Sequence, residues 1–107
     1  MKLKLIFLSA LLAAGCTDGD KTLLFECEQN TGEACNKVGK KREGAEAVKY
    51  FRRACELENT NGCVNLAERI KGSERAEALR VLKYACDRGN TDGCVKFAEL
   101  SQAGAAP

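Results

Sequence analysis

The 107-residue sequence has no histidine, no tryptophan, a single proline at its last position and only six aromatic residues. Without histidine, a Ser-His-Asp or Cys-His catalytic arrangement and a histidine-ligated metal site are both excluded. Serine is scarce as well: Ser9, Ser73 and Ser101 are followed three residues later by Leu12, Ala76 and Gly104, so the Ser-x-x-Lys arrangement of serine acyl-enzymes is missing. An excess of charge is missing too. The formal charge is +2, but Lys2 and Lys4 belong to an apparent export segment, and the remaining 15 basic residues equal the 15 acidic ones. Nucleic-acid binding rests on a surplus of Lys and Arg against phosphates, so no nucleic-acid partner is expected.

Long hydrophobic runs are absent. The longest, Leu5 to Ala14, spans ten residues and is broken only by Ser9. At about 1.5 Å per residue it is too short to cross a hydrocarbon core of about 30 Å as a helix. With Lys2 and Lys4 before it and small residues Ala13-Ala14-Gly15 after it, it reads as an export signal over residues 1–15. Residues 17–22, TDGDKT, read as a polar tether. What the sequence has in quantity is cysteine, seven residues, in a composition (45% hydrophobic, 30% charged) suited to one small globular domain.

Six of the cysteines fall inside an internal repeat. Residues 45–68 align without gaps on residues 76–99 at an offset of 31, with 12 identities in 24 positions. Cys27 and Cys35 precede Cys55 and Cys63 by 28, marking a third, partial copy. Self-similarity at a fixed period is the mark of stacked repeats. Within a unit the apolar period is helical: Ala47, Tyr50, Phe51, Ala54 and Cys55 are spaced i, i+3, i+4, i+7, i+8, as are Ala78, Val81, Leu82, Ala85 and Cys86. Ser73 is the expected N-cap of the later helix, with Glu74 and Glu77 near its positive end. Turns are expected at Asn59-Thr60-Asn61-Gly62 and Asn90-Thr91-Asp92-Gly93, with a shorter helix starting at Cys63 or Cys94.

Cysteines eight apart on one continuous helix would be separated by about 12 Å of rise, whereas a disulfide needs Cα atoms within about 7 Å. Pairing within a unit therefore requires the chain to fold back at those turns. Among the 15 connectivities open to six cysteines, register and geometry favour Cys27–Cys35, Cys55–Cys63 and Cys86–Cys94. Six aromatics make a thin core. Closing a nine-residue loop is worth about 2–3 kcal/mol by chain entropy, so three staples are comparable with the whole stability of a small domain, about 5–15 kcal/mol. Such bonds persist in an oxidising compartment. A reading of the C-x7-C pairs as zinc ligands or redox thiols fits less well, since those motifs place cysteines two apart. No metal and no cofactor are expected.

Two resemblances extend this reading. Ala13-Ala14-Gly15-Cys16 resembles the lipobox of bacterial lipoproteins, with Leu12 one place earlier than usual. It implies that Cys16 becomes an acylated N-terminus that holds the protein to a membrane. Thr17 in place of Asp resembles the pattern that permits transfer to the outer membrane, facing the periplasm. The alternative is plain secretion with cleavage near Ala14. The strings KYFRRACELENTNGCVNLA and LKYACDRGNTDGCVKFA resemble Sel1-like repeats, relatives of tetratricopeptide repeats, and in particular their cysteine-rich branch typified by the Helicobacter cysteine-rich proteins.

The second resemblance implies an all-α fold, a short right-handed α-solenoid of antiparallel helix pairs over residues 23–103 with a tail at 104–107. It implies disulfides at this spacing and a non-catalytic role in binding a protein or peptide, as an envelope adaptor or an immunity-type inhibitor. Some cysteine-rich members are described as penicillin-binding proteins or β-lactamases, so that activity is the alternative. Ala67 and Ala98 depart from the family pattern, replacing the glycine that Gly39 retains, and the units are shorter than is usual. Lys40-Lys41-Arg42 and Arg52-Arg53, with Glu43, Glu46 and Glu56 near them, read as a solvated face. Tyr50 and Phe97 are expected in the core. Tyr84, off the apolar stripe, is the candidate for contact with a partner.

Overall fold

The structure, a computed structural model, describes residues 19–105. The export segment at 1–15 and the lipidation candidate Cys16 lie outside the described residues. All regular structure among the described residues is helical: α1 (19–28), α2 (Gly32–Lys40), α3 (Gly44–Glu56), α4 (Thr60–Ile70), α5 (Arg75–Asp87) and α6 (Thr91–Ala105). Residues 19–22, assigned above to a tether, belong to α1 instead. Asp20 anchors this end by accepting from the Arg42 guanidinium at 3.5 and 3.4 Å. At the other end α6 runs on through residues 104 and 105, which the sequence reading gave to a tail.

Each repeat is a helical hairpin closed by one disulfide. Cys27–Cys35, Cys55–Cys63 and Cys86–Cys94 are bonded, with Cα separations of 4.6, 4.5 and 4.5 Å. The chain reverses in the same way each time. Three residues after the first cysteine of each pair stands a residue with positive φ: Asn30 (69°), Glu58 (67°) and Gly89 (91°). The next amide then donates back to the carbonyl five residues earlier, Thr31 to Glu26 (3.0 Å), Asn59 to Ala54 (2.9 Å) and Asn90 to Ala85 (3.0 Å). This is the left-handed helix ending that satisfies last-turn carbonyls.

The reversal therefore comes earlier than the Asn-Thr-x-Gly strings suggested. Asn59 and Asn90 are N-caps whose side chains accept from the amides of Gly62 (2.8 Å) and Gly93 (3.0 Å), so α4 and α6 begin at Thr60 and Thr91 rather than at the cysteines. With 15 residues, α6 is longer than the 13-residue α5, contrary to the expected shorter helix. The glycines have a packing purpose. A Cβ at Gly62 or Gly93 would lie 2.5 or 2.9 Å from the Cβ of Ala54 or Ala85, so glycine lets the two helices approach where the disulfide closes them. Ser73 is not a cap either. After Ile70 the chain winds through one more turn, with the amides of Ser73 (3.1 Å) and Glu74 (2.7 Å) both donating to the Ile70 carbonyl, and α5 starts at Arg75.

Successive helices pack on one another from α2 to α6, and α2 with α4 and α4 with α6 form an additional inner contact. The main core joins Ala47, Phe51, Leu66, Ala67, Ile70, Ala78, Val81, Leu82 and Ala85 with Cys63 and Val64, and a smaller cluster joins Cys27, Ala34, Cys35 and Ala54. The predicted stripes are thus buried, except that Tyr50, Cys55 and Cys86 are half-buried, as is Phe97. Between units the packing trades volume. Gly39 meets the ring of Phe51, which a Cβ would approach to 2.6 Å. One unit on, Ala67 replaces the glycine and Leu82 replaces the phenylalanine, both within the main core. The buried Asn36 is satisfied by Asn65, whose Nδ2 donates to its Oδ1 at 2.8 Å.

Candidate functional site

The helices α3 and α5 are not brought into close contact by the inner packing of α2, α4 and α6, and a groove of 450 Å³ opens between them. Its floor is apolar, made by Leu66 of α4, Val81 of α5 and the half-buried Cys55 of the second disulfide. Its walls hold three arginines (Arg52, Arg80, Arg88) and three glutamates (Glu56, Glu58, Glu77), equal numbers of each sign.

One charged pair spans the groove. Arg52 of α3 donates through Nη2 to Oε1 of Glu77 at 2.8 Å and through Nε to Oε2 at 3.3 Å. Both side chains are partly sheltered, 35% and 24% exposed, and Arg80 approaches the same carboxylate at 3.5 Å. The bond from Arg52 is the main reason that the Glu77 carboxyl lies below the ordinary carboxylate range, and the Arg52 guanidinium is correspondingly raised. A bidentate guanidinium-carboxylate pair fixes geometry as well as charge, so Arg52–Glu77 sets the spacing of the two walls.

Tyr84 lies in this groove. The sequence reading placed it off the apolar stripe as an exposed contact; it is half-buried, resting against the edge of the main core. The Arg88 guanidinium stands over its ring at 4.7 Å from the centroid and reaches Glu58 of the preceding unit at 3.6 Å. The sequence reading missed Arg52, Glu77 and Arg88 as groove residues because their partners are about one repeat away. The usable signal was register: charged positions on successive units of a stacked array come to lie side by side.

The other basic run disperses. Lys40 and Lys41 are exposed, Arg42 pairs with Asp20 and approaches Glu46 at 4.0 Å, and Arg53 donates to Asn30 Oδ1 at 2.6 Å. A second, smaller groove of 250 Å³ lies over Ala67, Leu82, Leu100 and Ala103. It is edged by Glu68, which Lys96 meets at 3.0 Å and Lys71 at 3.0 Å. Those two bonds, that from Lys96 first, draw the Glu68 carboxyl below its usual range and raise Lys96.

Ser73 lies in the turn between α4 and α5 and Ser101 on α6, and neither lines the larger groove. Among the described residues no group of three or more Cys, Asp or Glu side chains is arranged to hold a metal ion, and no helix is long and apolar enough to cross a membrane. The arrangement between α3 and α5 offers an apolar floor, an aromatic edge and fixed charges of both signs, which is the chemistry of recognition. Compared with protein-family models, with curated proteins and with solved structures, the chain matches none.

Proposed function

We propose that this protein is a short right-handed α-solenoid of Sel1-like repeats that binds a protein or peptide partner in the bacterial envelope without catalysing a reaction. The groove between α3 and α5 carries this reading. Its apolar floor provides affinity, and the Arg52–Glu77 pair and the Tyr84–Arg88 stack provide polar groups already held in place, so little ordering is needed on binding. An extended or helical segment with apolar side chains and charges of both signs fits a groove of this composition. The repeated hairpin with its disulfide at C-x7-C spacing supports the family assignment. The three staples call for an oxidising compartment, which supports export.

Export by the segment 1–15 and acylation of Cys16 place the domain at a membrane surface, facing the periplasm from the outer membrane. An adaptor or an immunity-type inhibitor would work from there. Replacing Cys16 by alanine should release the protein from membranes; retention of that variant removes the anchor from the account.

The binding reading is tested by placing a photo-crosslinking phenylalanine analogue at position 84 in intact cells, with position 37 on α2 as the exposed control. A discrete adduct from position 84, weakened by substitution of the exposed groove residue Arg80→Glu and absent from position 37, is the expected result. Equal adducts from both positions, or none from 84, overturns it. Steady β-lactam hydrolysis by the purified protein, abolished by a single substitution that leaves the fold intact, overturns the non-catalytic part.

A further inference from the structure

The groove between α3 and α5 has two ends, and an ion pair stands at each. Along α3 and the turn after it the lining residues run from Arg52 to Glu58, and along α5 and its cap they run from Glu77 to Arg88. The first residues of the two walls are bonded to each other, Arg52 to Glu77 at 2.8 and 3.3 Å. The last residues are paired as well, Arg88 with Glu58 at 3.6 Å. The floor of Cys55, Leu66 and Val81 is therefore bracketed by two ties between the walls.

The two ties differ in strength. Arg52 and Glu77 are partly sheltered and joined through both carboxylate oxygens, so separating them leaves two incompletely solvated charges without partners. Arg88 and Glu58 are exposed and joined by one longer contact, which yields to a ligand at small cost. The fixed end of the groove is thus Arg52–Glu77. Glu77 and Arg88 are eleven positions apart, about 16 Å at helical rise, a length that holds about five extended residues. A longer helix or strand laid along the walls would rest on the ties, above the floor. A segment that turns back within that length reaches Leu66 and Val81 with both ties intact.

Two rim charges are left for such a segment. Arg80 approaches at 3.5 Å a carboxylate that Arg52 already holds through both oxygens, and Glu56 makes no ion pair among the described residues. Both are exposed, Arg80 on the α5 wall and Glu56 on the α3 wall. We propose that the groove takes the tip of a tight loop of a protein partner, with one bulky apolar side chain on the floor, a carboxylate meeting Arg80 and a basic group meeting Glu56. This rests on the binding role proposed above and narrows the occupant to one shape. The ties hold the walls in place before the loop arrives, so the loop meets a site that needs little reordering. An apolar anchor seated in a pocket and ringed by polar contacts that exclude water is where the energy of an interface concentrates.

The test selects binders to the exported full chain carrying Cys16→Ala, with its disulfides closed, from two displayed libraries. One holds randomised loops of about five residues on a rigid β-sandwich, and the other holds randomised faces of a long single helix. The loop library should yield binders with one bulky apolar residue between an acidic and a basic one, weakened at least ~10-fold by Arg80→Glu and by Glu56→Lys and unchanged by Lys37→Glu on α2. Glu77→Ala, checked for unchanged helix content and closed disulfides, should admit helix binders that the parent rejects. No loop binders, loop binders indifferent to both rim substitutions, or helix binders to the parent as tight as the loops overturns the proposal. The position-84 adduct in cells reads the binding role separately: where it forms, these failures overturn the loop alone, and where it does not form, the binding role falls even if loops bind.

Discussion

Glu58 and Gly89 hold the same place in successive hairpins, with φ of 67° and 91°, and only the glycine is suited to it. A side chain in the left-handed region costs roughly 1 kcal/mol, while the ion pair that Glu58 makes with Arg88 at 3.6 Å is exposed on both sides and contributes a few tenths at most. Glu58→Gly should therefore stabilise the protein by about 0.5 kcal/mol after the extra unfolded-state freedom of glycine is counted, a rise of a few degrees in Tm. Thermal unfolding checks it, and a lower Tm would show that the Arg88 contact outweighs the strain. Glu68 and Glu77 give a second prediction. Both carboxyls titrate lower folded than unfolded, so their contribution is fully present above the ordinary carboxylate pKa of about 4.3 and is lost as pH falls through their depressed folded values. Arg52 and Lys96 stay charged across that window. Denaturant midpoints measured from pH 6 downward should fall more steeply for the parent protein than for Glu77→Gln, and parallel curves would refute the coupling.

The interface between neighbouring units depends on matched sizes at the element scale. A Cβ at Gly39 would come within 2.6 Å of the Phe51 ring, whereas the next unit accepts alanine at that position opposite a leucine. Gly39→Ala alone should cost about 1–3 kcal/mol through overpacking, and adding Phe51→Leu should recover much of the loss, reproducing the Ala67 and Leu82 arrangement. Urea unfolding of both variants checks this; additive losses would mean that the two sites do not share a contact. The helices themselves were legible because the apolar spacing at Ala47, Phe51 and Ala54, and again at Ala78, Leu82 and Ala85, is strictly helical. The hairpin was legible because eight residues of straight helix cannot join two cysteines. The exact reversal was not. Asn59 and Asn90 look like turn residues in sequence, yet a capping asparagine belongs to the helix it starts, and the left-handed residue one place earlier is marked by a glycine only in the last unit. The Ser73 cap failed for a related reason, since the backbone after Ile70 winds on and uses the amides of Ser73 and Glu74 itself.

Across the whole molecule, three stapled hairpins make a stack too small to rely on its core alone. Each local disulfide contributes about 2–3 kcal/mol by removing freedom from the unfolded chain, against a total of about 5–15 kcal/mol for a small domain. The groove was legible only in outline. Tyr84 drew notice because it leaves the apolar stripe, but its setting depends on Arg52 meeting Glu77 across successive units, and spacing within one helix says nothing of that. The cysteine pairing joins the fold to the compartment, since each helix reversal brings the two Cα atoms of its pair within 4.6 Å and the bonds persist where thiols are oxidised. Mass spectrometry of non-reduced proteolytic fragments of the exported protein tests that most directly. The account predicts Cys27–Cys35, Cys55–Cys63 and Cys86–Cys94 closed within their own hairpins in every molecule; crossed bridges, or free thiols among these six, would contradict it.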